Sequence, residues 1–377
     1  MRIIQVLLMF LLAGIVFSSL FFHGEEKGEK EEVMNTPLIV EEKKESVYFV
    51  SPSGNDAWDG KSPEKPFFSI QKAVDILEPG DTLTLLDGQY YQDVVSIRSG
   101  TEEKPIILEG SRDAIIKGTG ERDRIMEIRH SYIHLKGFRI DGLVGKGDSD
   151  QHYRNKLLYI EGSEIVSGVT GVKVLNMEFE NAGGECIRIK YFSHKNEIAQ
   201  SFIRNCGVYD FVFKRGAKNG EGIYIGTAPE QVLKNKNLTR DVDASNENWI
   251  HDNRIDTQGN ECVDIKEGSS GNIIEKNICT GQKDPQSAGL DSRGNGNIFR
   301  ENESFGNVGA GIRLGGDTQD DGIRNSIERN YLHDNLGGGI KLQRMPQEKI
   351  CENRFENNEK GDFSGEYKEE GKDENAC

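Results

Sequence analysis

NRIDTQGNECVDIKEGSSGNIIEKNICT, residues 253–280, is the stretch on which the fold turns. It opens on an asparagine followed by an alternating apolar and polar run, and Asn277 begins the same phrase again. Outward from it the phrase recurs as NESF at 302, NYLH at 330 and NRFE at 353, and earlier as NMEF at 176. From Asn253 to Asn353 the steps are 24, 25, 28 and 23 residues. That period is too short for a strand–helix–strand unit and suits one coil of a parallel β-helix, in which stacked asparagines bond to their equivalents above and below. Ser201 takes the same rung after Asn176, and the 52-residue step from Ser201 to Asn253 is one coil carrying two insertions, near 207–221 and 227–246.

A second strand follows most of these asparagines: CIRIK at 186, GIYIG at 222, CVDIK at 262, GLDSR at 289, GIRLG at 311 and GIKLQ at 339. Strand side chains alternate between faces, so Ile187/Ile189, Ile223/Ile225, Val263/Ile265, Ile312/Leu314 and Ile340/Leu342 point inward. At the front, Ile70, Ala73, Val74 and Leu77 have helical spacing before PGDTLTLLDGQYY turns to strand, which predicts a helix that caps the first coil and hides its open edge. The expected fold is all-β: a single-stranded right-handed parallel β-helix with an N-terminal capping helix, over residues 47–358.

The 44 glycines and nine prolines suit many tight turns, and the net charge of −16 argues against nucleic acid and anionic membranes as partners. Behind Arg2, residues 3–22 form an apolar run that reads as a signal peptide or a signal-anchor (1–23). Residues 24–46 are a charged, low-complexity tether, and 359–377 an acidic C-terminal tail. The chain is therefore expected to be secreted or anchored to the outer face of the cytoplasmic membrane, touching the membrane only through its N-terminal segment, and to act as a monomer. Six cysteines in an exported chain make disulfides plausible, and sequence-neighbour pairing would join 186 to 206, 262 to 279 and 351 to 377; buried free thiols are the alternative.

The stretch YFVSPSGNDAWDG at 48–60, then the helix, then PGDTLTLLDGQYY at 79–91 resembles the N-terminal region of secreted parallel β-helix proteins, among them polysaccharide lyases of families six and nine. The resemblance runs from residue 48 to 357 and implies the fold more firmly than any activity.

With the second strands in register, one outward column reads Arg188, Tyr224, Asp264, Asp291, Arg313, Lys341. Its neighbour reads Lys190, Gly226, Lys266, Arg293, Gly315, Gln343, and just before the strand stand Glu185, Glu221 and Glu261. Cations gathered on one strip of an acidic protein suit an anionic polysaccharide, so Arg188, Lys190, Tyr224, Asp264, Asp291, Arg313 and Lys341 are expected to bind it. Lys266 beneath Arg293 is the expected catalytic pair, the arginine lowering the lysine pKa toward that of a general base. Family six lyases resemble the sequence here, with a glutamate-x-glutamate calcium site, a lysine base five residues after the second glutamate and an arginine on the next coil. Glu261 and Lys266 keep that spacing, but Gly259 replaces the first glutamate, so Glu221 is the expected partner of Glu261 for Ca2+.

These readings point to a lyase that cleaves a uronate polymer by β-elimination. Two alternatives stay open: a glycoside hydrolase using Asp264 and Asp291, or a surface protein that binds carbohydrate without cleaving it. The clustered-aspartate and Gly-His-Gly motifs of β-helical polygalacturonases and the Asp-Pro-His-Asp motif of mannuronan epimerases are absent. The acidic turn GGDTQDDG at 315–322 reads as a polar insertion, and His194, His251 and His333 show no metal spacing.

Overall fold

The computed structural model describes residues 44–165 and 167–374. The apolar run at 3–22, most of the tether and Cys377 lie outside them. Three parallel sheets of 11, 10 and 10 strands wind around one apolar core, each coil giving one strand to each sheet, so that neighbours in a sheet come from successive coils. This is the right-handed parallel β-helix that the period predicts. The inward residues of the second strands are fully buried as the alternation requires, and together with Leu135, Phe179, Phe299 and Leu332 they form one continuous core.

A single left-handed residue makes the corner before each asparagine rung: Gln200, Asp252, Lys276, Glu301, Arg329 and Glu352 all have φ near +55°. Such a residue is disfavoured by ~1 kcal/mol or more, and the stacked amides beyond it offset that cost. Asn253 Nδ2 donates to Asn277 Oδ1 at 3.0 Å, Asn277 to Asn302 at 3.1 Å, Asn302 to Asn330 at 3.0 Å and Asn330 to Asn353 at 2.9 Å. Ser201 heads this ladder, its backbone N–H bonding Asn253 Oδ1. Asn176 does not join it. It is itself a left-handed corner residue, and the rung beside Ser201 belongs to Met177, whose N–H donates to Ser201 Oγ. Two further ladders, Asn196–Asn248–Asn272–Asn297–Asn325 and Asn307–Asn335–Asn358, satisfy the other turns.

At the front, helix Ile70–Ile76 buries Ile70, Ala73 and Val74 against the first coil as expected. At the back, residues 359–374 are more than the expected tail. Phe363–Gly365 adds a last strand beside Ile340–Leu342, and the helix Lys368–Glu374 packs on the end of the core, where Gly371 closes on Leu342 and Phe363. The coil after residue 358 has enough apolar side chains, Phe363 and Tyr367 among them, to cover an edge that would otherwise stay open. Cys186 pairs with Cys206 and Cys262 with Cys279, each across the corner between two sheets.

Candidate functional site

The outward columns are in the predicted register. Arg188 faces Tyr224, Tyr224 faces Asp264, Asp264 faces Asp291, Asp291 faces Arg313 and Arg313 faces Lys341, each on the next coil. The 10-stranded sheet that carries them forms the floor of an open cleft of about 330 Å³, walled by loop residues 217–219, 284 and 286–287 and by Glu230 and Gln231 of the short helix Pro229–Leu233.

At its centre are four buried carboxyl groups. One oxygen each from Glu221, Glu261 and Asp264 lies within 4.8 Å of the other two, so the two glutamates expected to hold calcium do converge, with Asp264 as a third. Asp264 Oδ2 forms an ion pair with Lys266 Nζ at 2.7 Å, and Asp291 Oδ2 accepts from Arg313 Nη1 at 2.7 Å. Glu261 Oε1 accepts from Ser287 Oγ, and Glu221 Oε2 from the backbone N–H of Gly220 at 2.9 Å. Even so, Glu261 Oε2, Asp264 Oδ1, Asp291 Oδ1 and Asn260 Oδ1 are buried with no hydrogen-bond partner among the described residues. An orphaned buried oxygen is costly, and such atoms are rare.

Titration follows from this crowding. Burial, then the charges of Asp264, Glu221 and Asp291, push the Glu261 carboxyl well above the usual carboxylate range. Asp291 is also raised, by burial and by Asp264, against the pull of Arg313. Lys266 departs from expectation. Burial and Arg293 both favour its neutral form, as proximity requires, but Asp264, Tyr224 and Glu261 outweigh them and hold the amine well above the usual lysine range. The sequence shows the cation stacked beside Lys266; it does not show that the column residue two positions earlier folds back onto it. Arg293 is likewise occupied, its Nε 2.5 Å from Glu267 Oε1 and its Nη2 bonded to Asp317 in the acidic turn. Tyr224, with Lys266 Nζ 4.7 Å from its ring centroid, is pushed up to about 12 by burial and stays protonated.

Of the expected polysaccharide contacts, Tyr224, Asp264, Asp291 and Arg313 line the cleft, and Lys341 stands on its floor beyond them, its Nζ donating to Gln286 O. Arg188 and Lys190 do not line it. Their side chains are 4% and 3% exposed, covered by the insertion at 227–246: Gln231 Oε1 accepts from Arg188 at 2.8 Å and the Lys236 carbonyl from Lys190 Nζ at 2.6 Å. The sequence places the insertion between Ser201 and Asn253; which coil it lies across is a tertiary fact. Sequence reasoning also missed Asn260, Glu267 and Ser287. Asn260 was findable, since it stands directly before Glu261 and its amide Nδ2 reaches Glu221 Oε1 at 3.3 Å.

The class so defined is a parallel β-helix with a buried acidic cluster and a lysine at the base of a surface cleft. The family described as "Periplasmic copper-binding protein (NosD)" matches residues 207–372. No curated protein sequence matches the chain. Among solved structures, the alginate lyase from Paenibacillus sp. str. FPU-7 superposes with TM-score 0.59 at 18% identity, covering 78% of this chain and 96% of that one. Pectate lyase Pel9A gives 0.59 at 15%, covering 85% and 79%. A mannuronic acid specific polysaccharide family 6 lyase from human gut microbiota gives 0.51 at 15%, covering 81% and 68%. At such identities the likeness is one of fold.

Proposed function

We propose that this protein is an extracytoplasmic polysaccharide lyase that cleaves a uronate-containing polymer by β-elimination. The observation that carries the reading is the set of orphaned carboxylate and amide oxygens beside Lys266 and Tyr224 in an open cleft. The lyases of the same fold support it. Export is supported by the disulfides Cys186–Cys206 and Cys262–Cys279 and by the periplasmic family match, with residues 3–22 as signal or anchor.

The donor set of Glu221, Glu261, Asp264 and Asn260 is all oxygen, which fits Ca2+ and not copper, a metal that favours imidazole and sulfur. Bound there, a calcium ion would offset the acidic cluster, draw in the sugar carboxylate and weaken the field that keeps Lys266 protonated. Lys266, once neutral, takes the proton next to the sugar carboxylate. The glycosidic C–O bond then breaks, and Tyr224, still carrying its proton, returns one to the leaving oxygen. Arg293 and Arg313 hold the charge that develops on the carboxylate.

A second reading has one observation in its favour. Burial raises the Glu261 and Asp291 carboxyls above the usual carboxylate range, the direction a glycoside hydrolase's general acid needs, with Asp264 as the second carboxylate. End-group analysis after incubation with a panel of uronate polymers, with and without chelator, separates the two. Chelator-sensitive unsaturated sugar supports the lyase; new reducing ends without unsaturation support the hydrolase; intact, bound polymer means a binding protein.

A further inference from the structure

We propose that the cleft receives the end of a polysaccharide chain rather than its middle, because the insertion at 227–246 blocks the sheet on the N-terminal side of the acidic cluster. This rests on the reading of the cleft as a uronate site and adds the form of the substrate. The outward column continues toward earlier coils through Tyr224 to Arg188, but there the insertion folds back over the preceding coil, and Gln231 and the Lys236 carbonyl cap Arg188 and Lys190. A chain lying in the cleft cannot follow the column past that point.

The wall is fixed and not a lid. Asp243, 1% exposed, ties the insertion down. Its carboxylate accepts from the backbone N–H groups of Tyr191 and Phe192 at 2.7 and 2.9 Å, from Thr227 Oγ1 at 2.6 Å and from Ser245 Oγ at 2.8 Å. Charge-assisted bonds of this kind, three of the four buried, do not open cheaply. On the other side of Lys266 the floor runs on through Asp291, Arg313 and Lys341, and among the described residues no insertion comparable to 227–246 interrupts it. Only the coil of Ile223–Ile225 separates the strand before Lys266 from the walled strand Ile187–Lys190, so the reacting bond lies about 10 Å from a dead end. That leaves room for a short terminal piece of chain on one side and an unlimited length on the other.

The test has a binding arm that does not depend on turnover. Full-length Lys266→Ala protein is titrated with oligouronates unlabelled, labelled by a bulky group at the reducing end, or labelled at the non-reducing end. The expected result is that one label weakens binding by about tenfold or more, the cost of shedding the contacts in the closed half, while the other is tolerated. Tight binding indifferent to both labels overturns the chain-end proposal and leaves the uronate reading standing; no binding of any oligouronate overturns both. With wild-type protein and long polymer, small products from the first time point with little fall in viscosity support the proposal, and an early viscosity collapse with a ladder of long products overturns it. Replacing 229–240 by a short Gly-Ser turn is expected to shift products toward internal cleavage.

Discussion

The two halves of the site sheet are built from the same residue types and end up with opposite character. In the earlier coils, Arg124 bridges Glu127 and Glu161 at 3.1 Å each, Lys156 meets Glu185, Arg188 meets Glu185 at 2.9 Å and Lys190 meets Glu161 at 3.1 Å. Arg188 and Arg124 also stack on Tyr224 and Tyr159, each 3.5 Å from the ring centroid. In the later coils, acids outnumber their partners, and carboxylate oxygens are left buried without donors. A charged ladder whose carboxylates are answered by cations holds the coils together; one with unanswered oxygens is kept for something from outside.

That contrast is broken or sharpened most strongly at Lys266. Lys266→Ala should lower turnover of a uronate polymer by roughly 10²–10⁴-fold, the usual worth of a general base, with binding nearly intact. Residual unsaturated product at the wild-type rate would return the later coils to a merely solvated face. In the earlier coils, Arg188→Ala should take from buried Glu185 one of its two cations and from Gln231 its donor, and cost up to about 3–5 kcal/mol in urea unfolding, the range for breaking a buried ion pair. If stability is unchanged, the network is not structural.

A smaller effect belongs to the ladder that both halves share. Asn277→Ala removes an amide bonded to Asn302 Oδ1 and to the Ile250 carbonyl, and takes away the Oδ1 that accepts from the Asn253 side-chain amide and backbone N–H. The expected cost is about 1–3 kcal/mol by denaturant titration. Asn176→Ala, at a corner and not on the ladder, should cost well under that; equal losses would deny the distinction.

How much of this was legible in the sequence follows from which interactions are periodic. The Asn253–Asn353 spacing and the alternation of Val263/Ile265 repeat in every coil, so register could be read directly, and with it the Asp264–Asp291–Arg313 column. The insertions do not repeat, so nothing in the pattern says that Gln231 reaches Arg188 or that the wall is fixed by Asp243. The Lys266 field was misread for a related reason. Columns show neighbours one coil apart, whereas Asp264 reaches Lys266 along its own strand. Asn176 shows the limit of reading a residue type alone, because asparagine suits both a rung and the left-handed corner before it.

The finest difference between the two halves is their response to pH and calcium. Glu261 is raised in the folded protein, so the fold holds a proton there that the unfolded chain has already lost above the ordinary carboxylate range. Its contribution to stability is thus complete at acid pH and falls away as pH rises through the raised folded value. Calcium competes for the same oxygens, and stabilises by binding the native state only. The rise in melting temperature on adding Ca2+ should therefore be small below the raised Glu261 value and grow as pH rises through it. Glu261→Gln should remove most of that rise while making the metal-free protein more stable at alkaline pH, since one of the crowded charges is gone. Arg188→Met, in the half where charges are already paired, should leave the calcium-dependent rise as it is in wild type. A calcium effect that is independent of pH, or that survives Glu261→Gln, would place the ion away from the acidic cluster.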